Sequence, residues 1–234
     1  MTESIVFDTG PVISLSTINL LWILEPLKEQ FRGDFYITRG VYNELIEKPL
    51  STKKYKFEAL QILPLINNQV LKVIDNEIIK SKADELLELA NSIFKARGNW
   101  IKIVHHTEME VIATALYLGS NAIVVDERTT RVLIEEPKLV AERFRKRLHT
   151  HIEINGENLN RFKKEVGRLR VIRSVELATI AYELGLLSRY MYREEEKTVP
   201  HLRQVLLEAV LWGIKLNGCS ISGDEIDDIV KIET

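Results

Sequence analysis

The sequence predicts an α/β fold, a three-layer α/β/α sandwich with a central parallel sheet. Short, almost wholly apolar runs, Ser4–Phe7 and Ala122–Val125, alternate with longer amphipathic stretches, as expected for strands covered by helices on both faces. Both runs end at an aspartate, Asp8 and Asp126. No internal repeat or flexible linker divides the 234 residues, so residues 1–234 are expected to form one elaborated domain.

The elements follow in order. Ser4–Phe7 stops at Asp8-Thr9-Gly10-Pro11, turn residues that lead into a helix whose first turn tolerates the missing N–H of Pro11. Helical spacing of apolar residues resumes from Leu20 to Phe31 and closes at Gly33. Phe35–Ile37 reads as a brief strand, and Thr38 as the cap of a helix that runs to about Lys48 and ends before Pro49. Residues 51–68 are expected to be helical, Val70–Ile74 a strand, and Glu77–Ala96 a long amphipathic helix ending at Gly98. Thr107, with Glu110 three residues on, has the form of a capping box opening a helix to Gly119. Arg128–Glu136 is helical up to Pro137, Leu169–Ile172 is a last strand, and Val175–Leu184 and Val199–Lys215 are helices.

Composition excludes several classes. The single cysteine, Cys219, allows no internal disulfide and no thiol-rich metal site. No apolar run approaches the ~18 residues that span a bilayer. The opening MTESIVFDTG is acidic and lacks a basic leader, so a soluble, cytoplasmic protein with no membrane partner is expected. Charge is unevenly spread. From Lys138 to Arg173 eleven Lys or Arg face four acids, a net +7 in a chain whose total is −2. Such a stretch is either a solvated helix surface or a phosphate-binding face.

The acids carry the chemical signal. Asp8 and Asp126 stand at the C-terminal ends of expected core strands, where open parallel sheets place their sites. Glu44 and Glu108 lie on expected helices nearby in the order of elements. Carboxylates meeting at one strand end repel one another unless cations neutralise them, and hard oxygen donors suit Mg²⁺ or Mn²⁺. That combination suits phosphodiester hydrolysis, in which a metal lowers the pKa of its water. Each acid also has a plain reading. Asp8 could cap the next helix, Glu108 and Glu110 could favour a helix N-terminus, Glu44 could be a surface residue, and Asp126-Glu127-Arg128 could be a loop.

Other signals are weaker. His149, His151 and Glu153 would share one face of a strand, but no fourth metal ligand is evident. GCSISG (218–223) misses the spacing of a nucleophile elbow, and no phosphate-binding glycine motif supports a nucleotide cofactor. Trp100 and Tyr117 read first as core aromatics and second as base-stacking residues.

Taken in order, DTGPVISL, VYNELIEKP and TEMEVIATALYLGSNAIVVDERTTRVL resemble the PIN-domain nucleases, a family that includes the toxin ribonucleases of toxin–antitoxin pairs. VIRSVELATIAYELGLLSRYM and LNGCSISGDEIDDIVK resemble its closing segments. The resemblance implies a Rossmann-like sandwich whose acids hold Mg²⁺ or Mn²⁺ and cleave RNA. By position it assigns catalysis to Asp8, Glu44, Glu108 and Asp126, with Asp8, Glu108 and Asp126 on the metal and Thr9 in support. Glu110 becomes an assisting neighbour, although two residues along a helix it points about 200° away from Glu108. Arg128, Arg143, Lys146 and Lys164 are then expected on RNA phosphates. RNA, an antitoxin protein and a second copy through the helices near Leu20–Leu27 are the implied partners. The competing expectation is a non-catalytic RNA-binding or assembly protein on the same fold. Three departures stand out: Thr107 where many members have glycine, an enlarged helical region at 51–104, and a basic insertion at 138–168.

Overall fold

A computed structural model describes residues 3–167, 169–191 and 198–234. Arg168, the last residue of the expected basic insertion, lies outside the described residues. Strand β1 (Ser4–Phe7) lies at the centre of a five-stranded sheet, with β2 (Asp34–Thr38) and β3 (Leu71–Ile74) on one side. On the other side lie β6 (Ala122–Val124) and β8 (Arg170–Ile172); β4 (Phe94–Ala96), β5 (Asn99–Trp100) and β7 (Ile152–Ile154) belong to a second sheet. All pairings in the central sheet are parallel, with Phe7 opposite both Ile37 and Val124. Every residue of β1 and β6 is buried, so a continuous apolar run rather than an alternating one is what this position requires.

Helices flank the sheet, giving the expected α/β sandwich. Helix α1 (Thr9–Thr17) follows β1 directly. The next segment is a 3₁₀ turn (Leu21–Ile23) and α2 (Leu24–Phe31). Leu20, Leu21, Ile23, Leu24 and Leu27 are buried inside the chain, which corrects the expectation that this stretch offers an interface to a second copy. Phe31 and Phe35 stack at 5.8 Å, and Phe35 meets Phe7 at 5.0 Å, tying α2 to two strands.

Three boundaries differ from expectation for local reasons. The helix after Thr38 does not stop before Pro49. It runs as α3 (Arg39–Tyr42), a π turn (Asn43–Glu47) and α4 (Lys48–Ser51), with Pro49 near the start of the last segment, where no N–H is missed. After α5 (Lys56–Asn67), α6 covers Glu77–Asn91 and ends five residues early. The Ser92 hydroxyl bonds back to the carbonyls of Glu88 and Leu89, and the side-chain Oδ1 of Asn91 accepts the N–H groups of Ile103 and Val104. Ile93 and Phe94 are buried in the following strand and loop instead. Helix α7 (His106–Leu118) starts two residues earlier than a Thr107 cap would place it, because Glu108, not Glu110, accepts the backbone N–H of the preceding His105 at 2.7 Å.

The two expected insertions meet each other. Strand β4 (Phe94–Ala96) pairs antiparallel with β5 (Asn99–Trp100) and with β7 (Ile152–Ile154), and α9 (Pro137–Leu148) and α10 (Gly156–Val166) flank β7 in the chain. The Asn158 amide donates to Ser92, and Lys82 pairs with Glu165 at 3.1 Å. Trp100 and Tyr117 are each half exposed, so neither is the core residue first expected. The chain closes with α11 (Ser174–Glu183), α12 (Leu202–Leu216) and α13 (Gly223–Glu233). Buried Arg173 binds Glu176 and, at 2.5 Å, Glu225, fastening the start of α13 to that of α11. Among the described residues, no single helix is long and apolar enough to cross a membrane.

Candidate active site

The chain order reverses between β1 and β6: earlier strands lie to one side, later ones to the other. A crevice opens at the carboxyl ends of strands at such a switch point. Asp8 sits there, one residue past β1, with its N–H on the Val124 carbonyl at 2.9 Å. It is buried, and the backbone N–H groups of Thr9 and Gly10 at the start of α1 favour its charged form. Burial nevertheless pushes its pKa up to about 7, and the negative charges of Glu108 and Glu44 add to the rise.

Glu108, half-buried on the first turn of α7, behaves alike. Burial raises its pKa to about 7 against the opposing hydrogen bond from His105, and the charges of Glu127 and Glu44 push it further. Glu44 stands exposed on the π turn and reaches the same place. One carboxylate oxygen accepts from Thr9 Oγ1 at 2.6 Å and the other from Thr107 Oγ1 at 2.8 Å. Thr9 therefore orients an acid, and Thr107, at the position where a glycine was expected, does the same. The charged neighbours that raise Asp8 and Glu108 are the acids Glu44, Glu108 and Glu127.

Glu127 is the residue that sequence reasoning passed over. It caps α8 (Arg128–Glu135) by accepting the Thr130 N–H at 2.6 Å, and its charge acts on Glu108. The signal was present in the Asp126-Glu127 pair, where only the strand-end member was selected.

Asp126 borders Gly10 together with the Asp8 carboxylate, but its own oxygens are turned to other donors. Its carboxylate is buried and occupied by donors: Ser174 N–H on one oxygen at 2.8 Å, and the hydroxyls of Ser174 (2.7 Å) and Ser14 (2.9 Å) on the other. The buried Cys219 thiol, raised to about 12 by burial and then by Asp126, lies against the same group. Asp126 thus joins α1, α11 and the Cys219–Ser220 segment, whose Ser220 N–H binds the Asp126 carbonyl at 3.2 Å.

Glu110 does not join the cluster either. It is buried, accepting from Thr38 Oγ1 at 2.9 Å and from Gly40 N–H at 3.0 Å, on the far side of α7 that its spacing from Glu108 dictates. A Cβ on Gly40 would stand 2.3 Å from Glu110 Oε2. Gly40→Ala is therefore expected to cost about 2 kcal/mol, or roughly 4–8 °C in Tm. In a Glu110→Ala background the same change should cost less, which paired urea melts would measure.

Arg128, Arg143, Lys146 and Lys164 are all exposed, on α8, α9 and α10. Arg143 and Arg147 border a shallow cavity of about 150 Å³ with Thr129 and Phe144, linking the start of α8 to the basic helix. A larger cleft of about 410 Å³ opens directly beside the acids, bordered by Thr9, Glu44, Lys48, Pro49, Lys54 and Tyr55. Among the described residues no three His, Cys, Asp or Glu side chains stand in metal-holding geometry, His149, His151 and Glu153 included. The acid cluster fits a hard divalent cation through its chemistry: all-oxygen donors, two of them with pKa raised to about 7.

A sequence model of the family DUF3368, a PIN domain, matches residues 4–140. No curated protein matches the sequence. Among solved structures, VapBC2 from Rickettsia felis, bound to a DNA fragment from their promoter, aligns with a TM-score of 0.43 and 12% identity, covering 73% of this chain and 98% of that one.

Proposed function

The chain belongs to the PIN-domain family, a family of nucleases, and from that premise we propose that it is a divalent-metal-dependent ribonuclease that hydrolyses RNA phosphodiester bonds. The observation that carries the reading is the pair Asp8 and Glu108, each raised to a pKa of about 7 by burial and by neighbouring acids, at the switch point of the sheet. A structural role would reward neutralising these carboxylates with lysine or arginine, whereas a site awaiting a cation keeps them uncompensated.

Asp8 and Glu108 would hold Mg²⁺ or Mn²⁺, with Glu44 and Glu127 as the outer acids. The bound ion supplies an activated water and offsets charge on the attacked phosphate. Thr9 and Thr107 fix the Glu44 carboxylate, which is thereby set to take a proton from water at either oxygen. Asp126 is a positioning residue: through Ser14 and Ser174 it sets where α1, and so Asp8, begins. Exposed Arg128, Arg143, Lys146 and Lys164 would carry the flanking phosphates.

Labelled single-stranded RNA incubated with Mn²⁺, Mg²⁺ or EDTA tests this. Cleavage should require the ion and fall at least ~100-fold in Asp8→Asn and Glu108→Gln. Equal residual cutting in all three proteins would reject the reading. Salt-sensitive RNA binding without any cutting would favour the non-catalytic binding protein, whose support is the exposed basic face of α9 and α10.

A further inference from the structure

We propose that the cleft between α1, the π turn and the 52–55 turn is a subsite for one unstacked nucleotide of single-stranded RNA, with Tyr55 as the base platform and Lys48 and Lys54 as phosphate contacts. The inference rests on the nuclease reading of the acids beside it and assigns residues that no sequence motif singled out. Its first support is position. Glu44 and Thr9 belong both to the acid cluster and to the wall of this cleft, so a strand with its scissile phosphate at the acids must send an adjacent nucleotide into or across it.

Size and charge agree with that path. The volume of about 410 Å³ is within the range of small-molecule sites and accommodates a nucleotide. The wall carries both signs, Glu44 and the two lysines Lys48 and Lys54. Acids alone repel a polyanion. Two ammonium groups on the same wall supply the attraction that the cluster lacks.

Tyr55 supplies the second kind of contact. Its ring is about one-third exposed at the cleft, and the Lys54 ammonium lies 4.5 Å from its centroid. An aromatic face backed by a cation attracts any nucleobase, and does so only when the base has left its stack, which selects single strands over duplex. The backbone of Tyr55 is left-handed, φ +60°, immediately before α5. A bulky residue rarely adopts that conformation, and glycine or asparagine would adopt it at lower cost.

Binding measured by fluorescence anisotropy in the 234-residue Asp8→Asn chain, with a labelled single-stranded RNA and the same RNA annealed to its complement, tests the assignment. Tyr55→Ala should weaken single-strand binding about 10-fold and leave duplex binding unchanged, while Tyr55→Phe retains affinity. Lys48→Ala and Lys54→Ala should each reduce the log–log salt slope by about 0.7. Unchanged single-strand affinity in Tyr55→Ala, with ion-dependent cutting intact in the otherwise native chain, would overturn the subsite and leave the nuclease reading standing. No RNA binding in the parent together with no cutting by the native chain would overturn both. Equal losses on single strand and duplex, or loss in Tyr55→Phe as well, would reject stacking.

Discussion

Asp8→Asn is expected to make the metal-free protein more stable at pH 8 while removing its cleavage activity. The folded pKa of Asp8 is about 7, against 3.8 for the ordinary group, so the folded state holds a proton that the unfolded chain has already released. Stability attached to that proton is complete below pH 3.8 and is lost as pH rises toward 7. Glu108, raised from 4.5 to about 7, bends the curve in the same direction. At about 1.4 kcal/mol per tenfold change in proton affinity, ionising Asp8 costs the fold up to about 4 kcal/mol, and relaxation around the site reduces the realised figure. A neutral asparagine avoids that cost, so Tm at pH 8 in EDTA should rise by roughly 4–8 °C. The native chain should gain a similar amount from Mg²⁺ or Mn²⁺ by mass action, and the variant little. Calorimetry of both proteins from pH 4 to 8, with and without the ion, checks the sign. A native protein whose metal-free stability rises across that interval would contradict the uncompensated cluster.

Asp126→Ala should have the larger effect, in the opposite direction. It removes the acceptor of three buried donors, the Ser174 N–H and the hydroxyls of Ser174 and Ser14, from the junction of α1, β6 and α11. Each orphaned donor costs about 1–3 kcal/mol, and because they share one acceptor the sum falls short of additive. A loss of about 3–5 kcal/mol, or about 10 °C in Tm, is expected. Ser14→Ala should cost about 1 kcal/mol. On the positioning role proposed for it, Asp126→Asn should keep its stabilisation by Mn²⁺. A variant of native stability that no longer responds to the ion would return Asp126 to the metal.

The strands and the order of the acids were legible because they depend on local signals. Ser-Ile-Val-Phe and Ala-Ile-Val have one use in a parallel sheet, and the acid or turn residue that stops each is adjacent in sequence. What was hidden depends on contacts between distant residues. Whether Asp126 or Glu127 faces Glu108 is decided by Ser174, 48 residues further on, which claims the Asp126 oxygens. The early end of α6 was hidden because Ile93 and Phe94 continue the helical spacing of apolar residues, yet their burial is supplied by a strand partner at 152–154. The π turn that carries Glu44 has no propensity signature at all. The cleft beside it was invisible for the same reason, since Lys48 and Tyr55 meet Thr9 only through the folded chain.

The small sheet that joins the two insertions also bears on how the chain assembles. Phe94 finds Ile154 across an interval that contains α7, β6, α8 and α9. Until that interval has been made and folded, β4 has only the two-residue β5 beside it, and a lone hairpin is marginal in water. Closing this long loop costs chain entropy before its contacts repay it, so the satellite sheet belongs among the late, slow steps. Its buried residues join the same core as the central strands, and local opening of this small sheet can precede loss of those strands.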